Sequence, residues 1–314
     1  MKSAILFPPL VKLKVGDFQD LYDQIPEVKS KFEDSSEILG IDLPKLFFSD
    51  DVKVINSSSI ARTSIVTISS ALHDLLQRVL PNPNYYLGPS LGMVSAIHCS
   101  GGLDFKQTIE MVRTFCEFEE EDKTLKKYGV YFFYNIDSKI MEELMEGLNR
   151  EGYFLEVCVY MNSSQMIVNG DFHSLEALSE KITKYGGLGI QIPYGPPGHC
   201  TLLTNVKRRF EKECLDRIQF GNSKIPIIGN SAMDILQTKD AIKNELIEQY
   251  CKPVLWGQSL FKLKEMGIEH LYFLGPGNFI YKSLEFSDVS FRTSKLLTAE
   301  DIHLFFEKSK VGGG

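Results

Sequence analysis

The sequence predicts an α/β protein: a mainly parallel sheet covered by helices on both faces, interrupted by a smaller inserted α+β unit. Three observations predict it. Short apolar runs such as "NYYLG", "IPIIGN" and "HLYFLGPG" alternate with helical stretches, the pattern of strands buried inside a parallel sheet. A stretch in the middle of the chain reads as βαββαβ, a different order from the rest. Between them, "LGPSLG" turns a strand directly into a helix.

Taken in order, three segments are expected: 1–124 and 197–314 as two parts of one large hydrolase-like unit, and 125–196 as the insertion. "MKSAILFPPLVKLKVGDF" superficially resembles a signal peptide, but Pro8, Pro9 and Lys12 break the apolar stretch and no small-residue cleavage site follows. A buried first strand fits better. Several helices follow, then a strand over 84–88 and a helix of small apolar residues that Gly101 and Gly102 end. In the insertion, "YGVYFFYN" is a β-branched and aromatic strand, and "SKIMEELMEGLNREG" places Ile140, Met141, Leu144 and Leu148 at helical spacing. "YFLEVCVYMN" and "QMIVNG" are strands joined by a tight turn; "HSLEALSEKITKYG" is a second helix and "LGIQIPY" the closing strand, which makes a ferredoxin-like unit. The last segment starts with a Gly/Pro loop, runs through an amphipathic helix to "IPIIGN", and ends in a helix near Ala299 to Lys308. The terminal "GGG" reads as a frayed tail.

Composition narrows the function classes. With 43% hydrophobic and 24% charged residues in 314, the chain is neither disordered nor fibrous. No apolar run approaches the roughly 20 residues a bilayer demands. A net charge of -7 argues against a general nucleic-acid binder. The six cysteines show no spacing that suits zinc, so free, mostly buried thiols in a reducing compartment are expected. A cytoplasmic monomer, bound to neither membrane nor nucleic acid, is the expectation.

Ser90, at the centre of G-x-S-x-G, lies at a strand-to-helix turn, where a nucleophile elbow places its serine. A serine nucleophile needs a base within reach. His73, His173, His270 and His303 have structural readings, in helices or beside a strand, and His98 reads as core. His199 differs, lying in the loop "YGPPGHCTLL" where the chain returns from the insertion.

With those residues in view, "LGPSLGMVSAIHCSGGLDF", "GPPGHCTLL", "PIIGN", "QYCKPVLW" and "GIEHLYFLGPG" occur in the order and spacing of malonyl-CoA:acyl carrier protein transacylases, and the chain resembles that family over nearly its whole length. It is most similar in character to divergent members of the trans-acting polyketide and fatty-acid synthase type. The resemblance implies that Ser90 accepts the acyl group, that His199 is its general base and later acid, and that the backbone carbonyl of Gln249 orients the imidazole. It implies an oxyanion hole from the backbone N–H groups of Leu91 and Leu10, and an Asn162 facing the cleft; Asn162 is otherwise an ordinary turn residue. The substrates implied are thioesters of CoA or of the phosphopantetheine arm of an acyl carrier protein, with no metal or bound organic cofactor. An acyl-serine would be formed and passed to a second thiol in a ping-pong cycle.

Four departures from the family pattern bear on the substrate. The loop "F-P-G-Q-G-S-Q" appears as "FPPLVKL", with Leu10 at the glutamine position, which is expected to displace an oxyanion donor. Pro89 replaces a histidine before the serine, and Met93 a glutamate after it. Arg62 stands for a pocket glutamine. Phe115 stands where the family has an arginine that grips the malonyl carboxylate through its planar fork. Either Arg62 holds that carboxylate from another side, or the pocket takes an uncharged acyl group; the second is expected, and Arg113 is the weaker substitute clamp.

The remaining features divide between function and solvation. Lys207, Arg208 and Arg209 in "KRRFEK" fit the acidic face of a carrier protein and equally a solvated helix face. "EFEEEDKTLKK" (117–127) reads as a solvated helix end before the insertion, and "GPGNF" (275–279) as a tightly packed turn with weak phosphate-binding character. Two rival functions use the same residues. A hydrolase would let water release the acyl-serine, and a catalytically impaired homologue would only bind carrier protein.

Overall fold

The computed structural model describes residues 2–193 and 196–311. Tyr194 and Gly195 of the loop before His199, and the terminal glycines read as a tail, lie outside the described residues.

A large sheet is built from β1 (Ser3–Leu6) and β2 (Tyr85–Leu87), and a small sheet from β3 (Tyr128–Tyr134), β4 (Leu155–Asn162), β5 (Gln165–Asp171) and β6 (Leu188–Gln191). The chain then returns to the large sheet with β7 (Ile227–Ile228), β8 (Ile235–Leu236), β9 (His270–Leu274) and β10 (Arg292–Leu296). The large sheet has the order β10-β9-β1-β2-β7-β8, parallel except for the β7–β8 pair. β1 is buried along its whole length, as strands covered on both faces are. This agrees with the expected fold class, including the buried first strand. Two edge strands had not been foreseen: β8 is two residues long, and β10 reads "RTSKL", polar enough to resemble a loop.

The small sheet is antiparallel with order β4-β5-β3-β6, the arrangement of a βαββαβ unit. Its helices, Ser138–Arg150 and Phe172–Thr183, bury Met141, Met145 and Leu148 from the first, and Leu175, Leu178 and Ile182 from the second, in one core cluster. β4 is tied to the larger unit where Tyr160 N–H donates to Val254 O (2.9 Å) and Val254 N–H to Cys158 O (2.9 Å). "CKPVLW" is therefore a seam between the two sheets. No helix among the described residues is long and apolar enough to cross a membrane. All six cysteines are free.

Candidate active site

The strand-to-helix turn at Ser90 follows from its flanking glycines. A Cβ on Gly88 would lie 2.4 Å from the Gly92 carbonyl carbon, and one on Gly92 would lie 2.4 Å from the Phe7 carbonyl oxygen. Both positions therefore need a bare backbone. The turn they permit holds Ser90 at φ 56°, ψ -114°, a conformation that costs a non-glycine residue roughly 1–3 kcal/mol. Ser90 sits at the N-cap of the helix Leu91–Cys99, and the Leu91 N–H has no partner among the described residues.

Asn230, just after β7, holds this turn. Its Oδ1 accepts from Ser90 N–H (2.7 Å) and its Nδ2 donates to Gly88 O (2.9 Å), bracketing the strained residue. Glu245, 4% exposed, holds Asn230 in turn by accepting from the backbone N–H groups of Asn230 (2.7 Å) and Ser231 (3.0 Å). Neither side chain stands out in the sequence, although Asn230 lies inside the "PIIGN" run.

His199 comes from the loop leaving the small sheet, also at positive φ, 56°. Its Nε2 lies 2.8 Å from Ser90 Oγ and its Nδ1 2.6 Å from the Gln249 carbonyl oxygen. A carbonyl accepts only, so Nδ1 carries the proton and Nε2 presents a lone pair to the serine. Burial, with Arg62 adding to it against the Gln249 bond, pushes the imidazole down to about 4, so it stays neutral at physiological pH. The loop is held by Asn169 of β5, whose side chain donates to Gly198 O (2.8 Å) and accepts from Gly198 N–H (3.2 Å). Glu156 of β4 accepts from Thr201 N–H (2.7 Å).

This serine, imidazole and carbonyl arrangement on this fold can be compared with known proteins. No family model matches the chain. It is 26% identical over 310 residues to the malonyl CoA-acyl carrier protein transacylase of Bacillus subtilis, covering 98% of each chain. It is 26% identical over 276 residues to the enzyme of the same name from Escherichia coli, covering 87% of this chain and 89% of that one. Among solved structures, the malonyl-transacylase of Streptococcus pneumoniae superposes with a TM-score of 0.89 at 25% identity, covering 98% of this chain and 100% of that one. A holo complex of a type II polyketide synthase acyl carrier protein with its malonyl-transacylase gives 0.92 at 22% identity, covering 98% and 100%. The chain is a divergent member of the malonyl-CoA:acyl carrier protein transacylase family.

The cleft beside Ser90 has a volume of about 370 Å³. Pro89, Leu91, Arg62, Phe115 and Leu10 all line it. Beyond the serine its wall is largely apolar, broken by Arg62 and Glu119: Phe115 meets Phe210 edge-on (centroids 6.1 Å apart), and Phe210 packs on Tyr250 (5.1 Å). The Leu10 N–H has no partner among the described residues, so the altered "FPPLVKL" loop still carries an unengaged donor at the cleft. Met93, in contrast, is fully buried in the core.

Asn162 requires a correction. It does not line the cleft; its Oδ1 accepts from Ser164 N–H (2.9 Å) and its Nδ2 donates to Gln165 Oε1 (3.0 Å), closing the β4–β5 turn. The basic run is also changed by its partners. Lys207 pairs with Glu248 (2.7 Å) and Arg209 with Glu213 and Glu121, leaving Arg208 exposed and unpaired among the described residues. Arg113 pairs loosely with Glu117 (3.7 Å) and does not reach the cleft. His98 is only partly buried, with Nδ1 3.1 Å from Leu103 O, and His270 belongs to β9 rather than preceding it.

The acidic run 117–127 is not wholly solvated. Glu119 turns inward, 9% exposed, with Oε2 2.6 Å from Arg62 Nη1. Helical spacing carried the signal, because residue 119 lies one turn beyond Phe115 and Cys116 on the buried face of the helix Phe105–Glu121. Burial by itself would weaken the Arg62 guanidinium's hold on its proton, but the Glu119 carboxylate more than offsets this and holds it above its usual range. The guanidinium also stacks over the Phe115 ring at 5.2 Å.

Proposed function

We propose that this protein transfers an acyl group between CoA and acyl carrier protein thioesters through an acyl-Ser90 intermediate, and that the acyl group carries no carboxylate. The observation that carries the reading is the alignment of Ser90 Oγ, His199 and the Gln249 carbonyl in a largely apolar cleft.

Neutral His199 takes the Ser90 proton through Nε2 as Oγ attacks the thioester carbonyl. The oxygen that becomes negative is met by the Leu91 and Leu10 N–H groups, and losing one such donor typically costs 10²–10³ in rate. Collapse breaks the carbon–sulfur bond, and His199 returns the proton to the departing thiol. A phosphopantetheine thiol then gives its proton to His199 and attacks the acyl-serine; the ester carbon–oxygen bond breaks, His199 returns the proton to Ser90 Oγ, and the acyl group leaves as the new thioester. The Gln249 carbonyl stabilises the imidazolium by accepting its Nδ1–H without adding a buried charge.

Phe115 supports the uncharged acyl group, because a phenyl ring gives a carboxylate no donor and the neighbouring Arg62 is already paired with Glu119. Each methylene buried against such a ring contributes about 0.8 kcal/mol.

The test is intact-protein mass spectrometry of the wild type and Ser90→Ala with malonyl, acetyl and longer acyl thioesters, with and without holo carrier protein. A serine-dependent adduct that moves to the carrier protein is expected. Release of the adduct as free acid would instead make the protein a hydrolase. A folded protein that forms no adduct would sink the catalytic reading.

A further inference from the structure

We propose that Glu119 sets acyl-group selectivity by occupying, from within the chain, the position on Arg62 that a substrate carboxylate would take. The proposal rests on the reading of Ser90 as acyl acceptor.

Arg62 projects from the helix Ser58–Leu76 and Glu119 from the helix Phe105–Glu121, and both line the cleft that holds Ser90. A guanidinium in such a cleft is the group best suited to grip a carboxylate, through its planar fork of N–H donors. Here the gripping hand already holds a carboxylate: Nη1 donates to Glu119 Oε2 at 2.6 Å, with the Cys116 sulfur 3.7 Å away. The side chains are 12% and 9% exposed, so solvent screens the pair little.

Two consequences follow from charge. A carboxyacyl group entering the cleft meets an ion pair with no net charge rather than a lone cation. To take the Nη1 donor it must displace Glu119, for which the cleft lining offers no Lys or Arg other than Arg62. An uncharged acyl chain disturbs nothing. Glu119 thus reconciles two departures that conflict as sequence: an arginine gained at position 62 and an arginine absent from position 115. It makes the cleft electrically closed to diacid-derived groups although a guanidinium lies inside it.

The experiment measures Ser90 acylation rates for the wild type, Glu119→Gln and Glu119→Ala with malonyl-CoA, the CoA thioester of monomethyl malonate, and hexanoyl-CoA. Two wild-type results are expected: both uncharged thioesters react, and the methyl ester outpaces malonyl-CoA at least about tenfold. Freeing Arg62 by either substitution raises the malonyl-to-hexanoyl rate ratio at least about tenfold, and adding Arg62→Met removes the gain. An unchanged ratio overturns the proposal. If both variants fail to fold, the wild-type pair decides alone: malonyl and its methyl ester reacting at equal rates overturns it. No reaction with any thioester in the wild type is a different failure, that of the Ser90 reading itself.

Discussion

The two loops that bring Ser90 and His199 together are built on the same plan from different sheets, and they differ in how deeply that plan is buried. Ser90 and His199 each have a positive φ of 56°. Each loop is bracketed by an asparagine that both donates to and accepts from backbone groups of the loop: Asn230 on Ser90 N–H and Gly88 O, and Asn169 on Gly198 N–H and O. Each has a supporting carboxylate, Glu245 on the serine side and Glu156 on the histidine side. The serine side is closed to water, with Asn230 1% and Glu245 4% exposed. On the histidine side Asn169 is fully buried, but Gly198 and Glu156 are only partly covered. A broken hydrogen bond is costlier where water cannot replace it. Ser90 is thus held by a bracket closed to water, and His199 by one that water reaches in part.

That contrast ranks the substitutions that would break it. Gly92→Ala is expected to be the most damaging: its Cβ must displace the β1 backbone at Phe7, abolishing Ser90 acylation and lowering the yield of folded protein. Asn230→Ala comes next, leaving Ser90 N–H and Gly88 O unpaired in a dry site. A loss of about 2–4 kcal/mol in denaturant unfolding and about 100-fold in acylation rate is expected. Asn169→Ala should cost less, about 1–2 kcal/mol and about tenfold, seen in the maximal rate more than in KM, because water can reach Gly198. Equal effects for the two asparagines would erase the distinction between the sides.

A pH profile sharpens it further. The folded protein holds His199 near 4, below the ordinary value near 6.5, so between those values the unfolded chain binds more protons. This histidine's contribution to stability therefore falls as pH drops through that window. Acylation should stay level from neutral pH down to about 5 and decline only as pH approaches 4; an inflection near 6.5 would contradict the neutral, buried base. The smallest effect is expected for Glu156→Gln, within about 0.5 kcal/mol and about threefold in rate, since its bond to Thr201 faces solvent.

Selectivity and reactivity were not equally legible. Gly88, Ser90 and Gly92 fall within five consecutive residues, and their turn is dictated by local sterics, so the elbow could be read directly. His199 was legible as the histidine of a Gly/Pro loop, and Gln249 only through the family resemblance. Asn230 and Glu245 lie far along the chain from Ser90, and Glu119 lies 57 positions from Arg62, so no periodicity links these partners. Asn162 misled because its type and turn suit either reading, and only its bonds to Ser164 and Gln165 decide.

The sequence alone determined the alternation of helices and strands, the βαββαβ insertion and the elbow, because hydrophobic period and glycine sterics act over a few residues. The tertiary structure decided which charges meet. Whether Glu119 faces solvent or Arg62, and whether Lys207 and Arg209 are free or paired, depends on helices brought together by packing of the core. An ion pair in a cleft depends on the distance between groups remote in the chain, and only the folded chain sets that distance.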